Sequence, residues 1–472
     1  MVLNGAARAQ GSVDLAPIFA PPTPAEIQAV RVDWLSRQDS VNGFRVEAAY
    51  TEPISTAYFE IVSHVVEGFR HYGAIRYPLQ YVPGGKYPVL VACHGGTIGV
   101  AVEEVANLLV HFPGQCVSDQ FFMVIPSYRS EVLGTSMAGI FQSEGTSSWA
   151  DRDVDDTRAL LSAALDHQPD MDRARIAGWG ISRGATVALL LSIRDPRVRR
   201  VVDMFGFTDL SLPSLVGLVD GIANHGFASA GLGGLVYDAI VEPYVLGQAS
   251  LAEARLAWIR RSPSFFASAL PTLQAHHGLM DDSVDVTHTQ ALLDALAAAG
   301  ASAANAQGYY YPTGQHGLNS MPGHGPIVEP FLCDLNAGPV GYCGPMTFHG
   351  GGFSAGIDYA GSTSLQARDF ELIVHNARAN GAGLFFVSPS IGYVQSGAGY
   401  LCLGFGAQRL GLALSDVSGL TRLRLDPALA PVGAQSLLGA GSTAYFQFVF
   451  RDFGNPNGAW NFSNGLAVTF QP

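Results

Sequence analysis

Lysine is almost missing from this chain: of its 26 basic residues only Lys86 is a lysine. We read that skew as a coding bias with no chemistry attached. Charge of any kind is scarce, at 14% of residues, and basic charge is the scarcer, with 26 Lys and Arg against 39 Asp and Glu. The formal net charge of −13 leaves no basic face to neutralise phosphates, which excludes a nucleic-acid partner. Low charge beside 48% hydrophobic residues also excludes a mainly disordered chain. No apolar run approaches the roughly 20 residues that cross a bilayer as a helix, so no membrane span is expected. The Cys residues number five and none forms a CxxC spacing. No internal repeat stands out, which argues against a propeller or solenoid.

What is present points to two domains, as 472 residues exceed one ordinary core. Residues 1–45 hold Pro-rich segments such as Ala20-Pro21-Pro22-Thr23-Pro24 and read as an extension that wraps the domain. Ala7-Arg8-Ala9 before Gln10 resembles the cleavage site of a secretory signal, although no apolar core precedes it; residues 1–9 would then be a signal remnant and the protein secreted or periplasmic. Thr56 to Tyr77 alternates around Glu67-Gly68 and predicts an antiparallel strand pair. Val89–Cys93, Phe121–Ile125, Arg175–Trp179, Val201–Phe205, Thr272–His276 and Gln307–Tyr311 read as buried strands. Helical stretches lie between them, at Val102–Phe112, Val154–His167, Arg183–Ile193 and Thr287–Ala299. Alternating strand and helix over 46–335 predicts an α/β fold, a mostly parallel sheet flanked by helices. From 336 to 472 Gly, Ser, Asn and short alternating strands predict a smaller all-β, sandwich-like domain.

Two G-x-S-x-G matches occur, where chance alone would yield about half of one. Gly180-Ile181-Ser182-Arg183-Gly184 follows a strand and precedes Ala185-Thr186-Val187-Ala188-Leu189-Leu190-Leu191, apolar all round as a buried helix is. Gly352-Phe353-Ser354-Ala355-Gly356 is followed by no helix, so Ser354 reads as a turn serine and Ser182 as the nucleophile. A serine hydroxyl needs a base, and the base needs an acid to hold its tautomer. In a sheet of this kind the order is serine, acid, histidine. Asp281 ends the strand Thr272–His276, while Asp282 and Asp285 read as caps of the next helix. His316 follows the last strand, with His324 as its competitor. Oxyanion donors are expected from the N–H of Arg183 and from the turn His94-Gly95-Gly96-Thr97, at Gly95 and Gly96.

Asp151, Asp153, Asp155 and Asp156 invite a calcium reading, but they lack an EF-hand's glycine and distal glutamate and suit a helix N-terminus. No cofactor and no metal is called for. Cys93 reads as a core residue. Cys333, Cys343 and Cys402 fall in the C-terminal third, where Cys343–Cys402 is one bridge an exported protein could form; the connectivity stays open. Thr208–Arg261 reads as a cap whose Gly-rich, apolar character suits an apolar acyl group.

Taken together, His94-Gly95-Gly96, Pro126-Ser127-Tyr128-Arg129-Ser130, Gly178-Trp179-Gly180-Ile181-Ser182-Arg183-Gly184, Ser262-Pro263, His277-Gly278-Leu279-Met280-Asp281 and His316-Gly317 resemble the prolyl oligopeptidase family of α/β-hydrolases. The resemblance covers about Tyr87 to Asn319 and implies a triad of Ser182, Asp281 and His316. That family's peptidases carry an N-terminal propeller for which there is no room here, and Ala185 stands where many members have a second glycine. The departures favour an esterase acting on a small-molecule or polymeric ester, with a serine peptidase as runner-up. A non-catalytic binding protein on the same scaffold fits less well, because the set is intact. The C-terminal stretches Gly361-Ser362-Thr363-Ser364-Leu365, Gly383-Leu384-Phe385-Phe386, Tyr400-Leu401-Cys402 and Phe446-Gln447-Phe448-Val449-Phe450-Arg451-Asp452 resemble a β module of exported planctomycete-type bacterial proteins. By analogy that module implies surface or polymer attachment.

Overall fold

Glu67 (φ 52°) and Gly68 (φ 85°) both take left-handed conformations, the backbone of a two-residue hairpin turn whose twist matches the flanking strands. The turn joins β2 (Tyr58–Val66) to β3 (Phe69–Arg76), the antiparallel pair expected from the alternation. The structure is a computed structural model that describes residues 12–37, 41–110, 115–301, 305–335, 340–343, 346–352, 354–360, 363–366 and 368–470. The expected signal remnant at 1–9 lies outside the described residues, as do Phe353, Gly361 and Ser362 of the quoted motifs.

One nine-stranded sheet organises the first part of the chain. Its strands are β1 (Asn42–Thr51), β2, β3, β4 (Tyr87–Cys93), β5 (Phe122–Pro126), β6 (Met171–Ile181), β7 (Val198–Met204), β8 (Thr272–Gly278) and β9 (Ala306–Tyr311). They stand in the order β1-β2-β3-β5-β4-β6-β7-β8-β9. From β5 to β9 all neighbours are parallel, and β1, β2 and β3 close one edge antiparallel. This crossover order, with helices on both faces, is that of the α/β-hydrolases. β1 was not read as a strand, and the expected end of the extension at 45 falls inside it; two register shifts break its alternation and leave only Phe44, Ala48 and Tyr50 part-buried.

Successive residues of a strand face opposite sides, and β4 is apolar on both. Val89, Val91 and Cys93 pack with Leu160 and Leu161 of α3 (Arg152–His167) and with Val187, Leu190 and Leu191 of α4 (Arg183–Arg194). Leu90 and Ala92 pack on the other face, with Val102 and Val105 of α2 (Val102–Val110) and Val328 and Leu332 of α8 (Gly325–Cys333).

The Pro-rich start is better organised than a wrapping extension. Pro24 opens α1 (Pro24–Ser36), and Thr23 and Glu26 form a reciprocal capping box at its N-terminus. Segment 208–261 packs against it. Leu215 and Val219 of α5 (Pro213–His225) and Trp258 of α6 (Leu251–Ile259) share a core with Ile18, Val30 and Trp34. Trp258 Nε1 donates to the Ile18 carbonyl at 2.6 Å. This packing takes up part of the segment's apolar character, while Leu218, Phe227 and Leu246 stay exposed.

After α7 (Thr287–Ala298), β9 and α8, the described residues are β strands and loops with one short helix, Val432–Gln435. A five-stranded and a three-stranded sheet enclose a separate core of Ile357, Leu372, Val374, Phe385, Phe446, Phe448, Phe450 and Leu466. The chain is thus an α/β-hydrolase fold followed by a β module. Buried arginines join the two parts: Arg199 donates to the Ile357 carbonyl, and Arg200 to Asp334 and to the Tyr359 hydroxyl. Cys343 and Cys402 are bonded, and Cys116 pairs with Cys333 across 217 residues. The second bridge went unread in the sequence, where Cys333 grouped with the C-terminal cysteines. Cys93 is free and buried in β4, its thiol pushed up to about 12 by burial.

Candidate active site

Ser182 stands between β6 and α4 with φ 53° and ψ −124°, a strained conformation for a residue with a side chain. Its N–H donates to the Met204 carbonyl at 2.9 Å, which ties the turn to β7. The flanking glycines are required by space. A Cβ at Gly180 would run into the backbone of Gly184, and one at Gly184 into the carbonyl of Cys93. The turn lifts the hydroxyl above the C-terminal end of the parallel strands, where α4 begins.

His316 lies 134 positions further on, past the end of β9, with its side chain part-exposed. Its Nε2 is 2.9 Å from Ser182 Oγ, and its Nδ1 is 2.8 Å from Asp281 Oδ2. With Nδ1–H donating to the carboxylate, Nε2 is left to accept the serine proton. The Phe205 ring stands edge-on to the imidazole, with centroids 4.8 Å apart. Ser320 secures the loop: its hydroxyl accepts from the Gln315 N–H at 2.8 Å and lies 2.7 Å from the Gly317 carbonyl.

The Asp281 side chain is buried, and its second oxygen accepts from the N–H groups of Ser283 and Val284, both at 2.9 Å. Burial alone would raise this carboxyl. Hydrogen bonds from His277, His316 and the Val284 N–H prevail and hold it well below the usual carboxylate range. His277 approaches Oδ2 at 3.5 Å.

The competing residues sit elsewhere. Asp282 is exposed and, among the described residues, takes only the Ser283 hydroxyl, at 3.3 Å. Asp285 accepts from the Thr287 N–H at the start of α7, as a cap does. His324 immediately precedes α8 and bonds the Met321 carbonyl. Ser354 precedes a strand, Gly356–Ala360.

Gly95 lies against the nucleophile: a Cβ there would be 3.2 Å from Ser182 Cβ and 3.1 Å from the Ile181 carbonyl. Gly96 has φ 74°, which favours glycine. The structure therefore brings Ser182, Arg183, Gly95, Asp281 and His316 together. The acidic cluster at the start of α3 is occupied by arginines. Asp151 and Asp155 accept from Arg37, Asp153 from Arg183, and Asp156 from Arg129. Sequence reasoning missed Glu131, which shares Arg183 with Asp153, and Ser320; neither belongs to a local pattern that could have marked it.

No protein-family model matches the chain, and no curated protein matches it. Among solved structures it is similar to acetyl xylan esterase 1 from a Thermoanaerobacterium species (18% identity, TM-score 0.47, 69% of this chain and 99% of that one). It is also similar to an acetyl xylan esterase from a Paenibacillus species (15%, 0.45, 67% and 98%). An acylaminoacyl peptidase from Pyrococcus horikoshii is a further likeness (13%, 0.40, 62% and 49%). Likenesses this distant assign no substrate; the fold rests on the strand order above.

Proposed function

We propose that this protein is a serine hydrolase that cleaves carboxylic esters through an acyl-enzyme. The observation that carries the reading is the chain of contacts from Ser182 Oγ to His316 Nε2 and from His316 Nδ1 to Asp281 Oδ2, at 2.9 and 2.8 Å. Ser182 Oγ attacks the ester carbonyl while His316 Nε2 takes its proton, and Asp281 steadies the imidazolium. The N–H of Arg183 and the Gly95–Gly96 turn receive the oxyanion, each donor contributing about 3 kcal/mol to the transition state. His316 then protonates the departing alcohol, and water, activated by the same nitrogen, releases the acid.

Exposed Ile98, just beyond Gly96, and exposed Leu279 and Met280, just before Asp281, support an ester with an apolar flank. Two bonded cysteine pairs support export to an oxidising compartment. Attachment to a surface or polymer is assigned to the C-terminal module by analogy. A panel of p-nitrophenyl esters beside aminoacyl-nitroanilides, with fluorophosphonate labelling of Ser182, tests the reading. Ester turnover with labelling is expected. Turnover of the anilides alone would make the protein a peptidase.

A further inference from the structure

Arg183 enters the reaction above only through its backbone N–H, yet its guanidinium is 3% exposed and paired with two carboxylates and a carbonyl. Nε donates to Asp153 Oδ2 at 2.9 Å. Nη1 donates to the Gly96 carbonyl at 2.9 Å and also to Glu131. The guanidinium lies over the Tyr128 ring, with Cζ 4.6 Å from the centroid. The Tyr128 hydroxyl donates to the His94 carbonyl at 3.2 Å, and its ring stacks on the His94 imidazole at 4.3 Å. His94 Nδ1 in turn lies 2.9 Å from the Gly95 carbonyl. Burial holds His94 neutral, lowered to about 3, so this ring can act as a neutral donor across the ordinary pH range.

The consecutive carbonyls of His94, Gly95 and Gly96 are therefore held by side chains. In a planar trans peptide the N–H points opposite to the C=O, so holding a carbonyl aims the next N–H. The turn after β4 thus gains its direction from Arg183, Tyr128 and His94 rather than from its own two glycines.

We infer that the Arg183 guanidinium, seated on Tyr128, is the positioning group of the oxyanion turn. Arg183 then bears on both donors: its own backbone N–H is one, and it steers the facing turn by seating Tyr128, whose hydroxyl holds the His94 carbonyl and so aims the Gly95 N–H, while its bond to the Gly96 carbonyl fixes the Thr97 end of the turn. Glu131 and Asp153 offset its charge, so the guanidinium works by geometry rather than as a cation on the oxyanion. A buried ion pair is a poor source of stability compared with apolar packing, which leaves positioning as the reason to keep one here. Lysine could not replace it, because a single ammonium cannot reach Asp153, Glu131 and Gly96 in one planar fork. The inference rests on the serine hydrolase reading.

The test compares Arg183→Lys, Arg183→Met and Tyr128→Phe with wild type on p-nitrophenyl acetate. It reads kcat, KM, melting temperature and inhibition by a boronic acid that forms a tetrahedral adduct. We expect kcat to fall about tenfold for Arg183→Lys and about a hundredfold for Arg183→Met, with KM within about threefold. Boronate affinity should fall in step with kcat/KM, which a merely structural role would not produce. Tyr128→Phe, nearly isosteric, should lose about threefold to tenfold in kcat with an unchanged melting temperature. Folded Arg183 variants with wild-type kcat would overturn the inference. If those variants do not fold, unchanged kcat in Tyr128→Phe overturns it instead. A wild type that takes no fluorophosphonate and turns over no ester would sink the hydrolase reading, a different result from an active wild type matched by its variants.

Discussion

The backbones of Gly278 and Gly314 touch: a Cβ on Gly278 would overlap the Gly314 carbonyl, and one on Gly314 would stand 2.8 Å from Gly278 Cα. This contact sets the acid loop against the base loop, and the Met280 N–H donates to the Gly314 carbonyl at 2.8 Å to complete it. Gly278→Ala should therefore part Asp281 from His316. We expect about a hundredfold loss of kcat on p-nitrophenyl acetate, the cost of a displacement near 1 Å. An unchanged kcat would mean that the contact is incidental.

For the nucleophile, Ser182→Ala should abolish both turnover and fluorophosphonate labelling, while Ser354→Ala leaves both intact. Gel fluorescence after labelling reads the outcome directly. Labelling that survives Ser182→Ala would remove the basis of the proposed function.

Asp281→Asn and His316→Ala should each lower kcat by several orders of magnitude, with Asp282→Asn and His324→Ala near wild type. Asp281→Asn acts by tautomer: an amide can donate to Nδ1, and Nε2 then carries the proton and cannot accept the one from Ser182. A crippling Asp282→Asn would shift the acid by one position.

Acid should unfold the protein through its buried histidines. Burial holds His64, His94, His276 and His288 down to about 3, and His71 and His375 down to about 4. Each is protonated in the unfolded chain below about 6.5 but stays neutral in the folded one. The unfolded state then binds more protons, so stability falls as pH drops from about 6.5 and stops falling only below the folded values. The unfolding free energy in urea should decline from pH 6.5 to pH 4, and less steeply in His64→Leu. A flat profile over that window would contradict the burial.

A chain ending at Asn336 should keep turnover of small soluble esters but melt at a lower temperature. The nucleophile, acid and base all precede residue 320, whereas Arg199 and Arg200 lose Ile357 and Tyr359 with the β module. Differential scanning calorimetry beside KM for p-nitrophenyl acetate separates the two effects. A large rise in KM in the folded shortened chain would show that the module reaches the cleft.

Legibility followed distance along the chain. Ser182 is marked by a strand, a turn and a helix within about twenty residues, and Asp281 and His316 each follow a strand end, so local pattern located them. The hairpin at Glu67-Gly68 was visible for the same reason. β1 was not, because two register shifts interrupt this mostly exposed edge strand and leave no regular period to read. α1 hid behind its prolines, one of which is its first residue. The Arg183 cluster and the Cys116–Cys333 bridge join residues 30 to 217 positions apart, and no short window of sequence contains such a relation.

The single lysine also has a practical side. Lys86 immediately precedes β4, at the end of the sheet opposite Ser182, and its Nζ donates to the Pro169 carbonyl. The seven residues of β4 separate the two ends by roughly 20 Å. Amine-directed coupling to a bead or a biosensor chip would find one lysine side chain, on the face away from the cleft. Molecules held through it would share one orientation, with their candidate catalytic groups turned toward the solution.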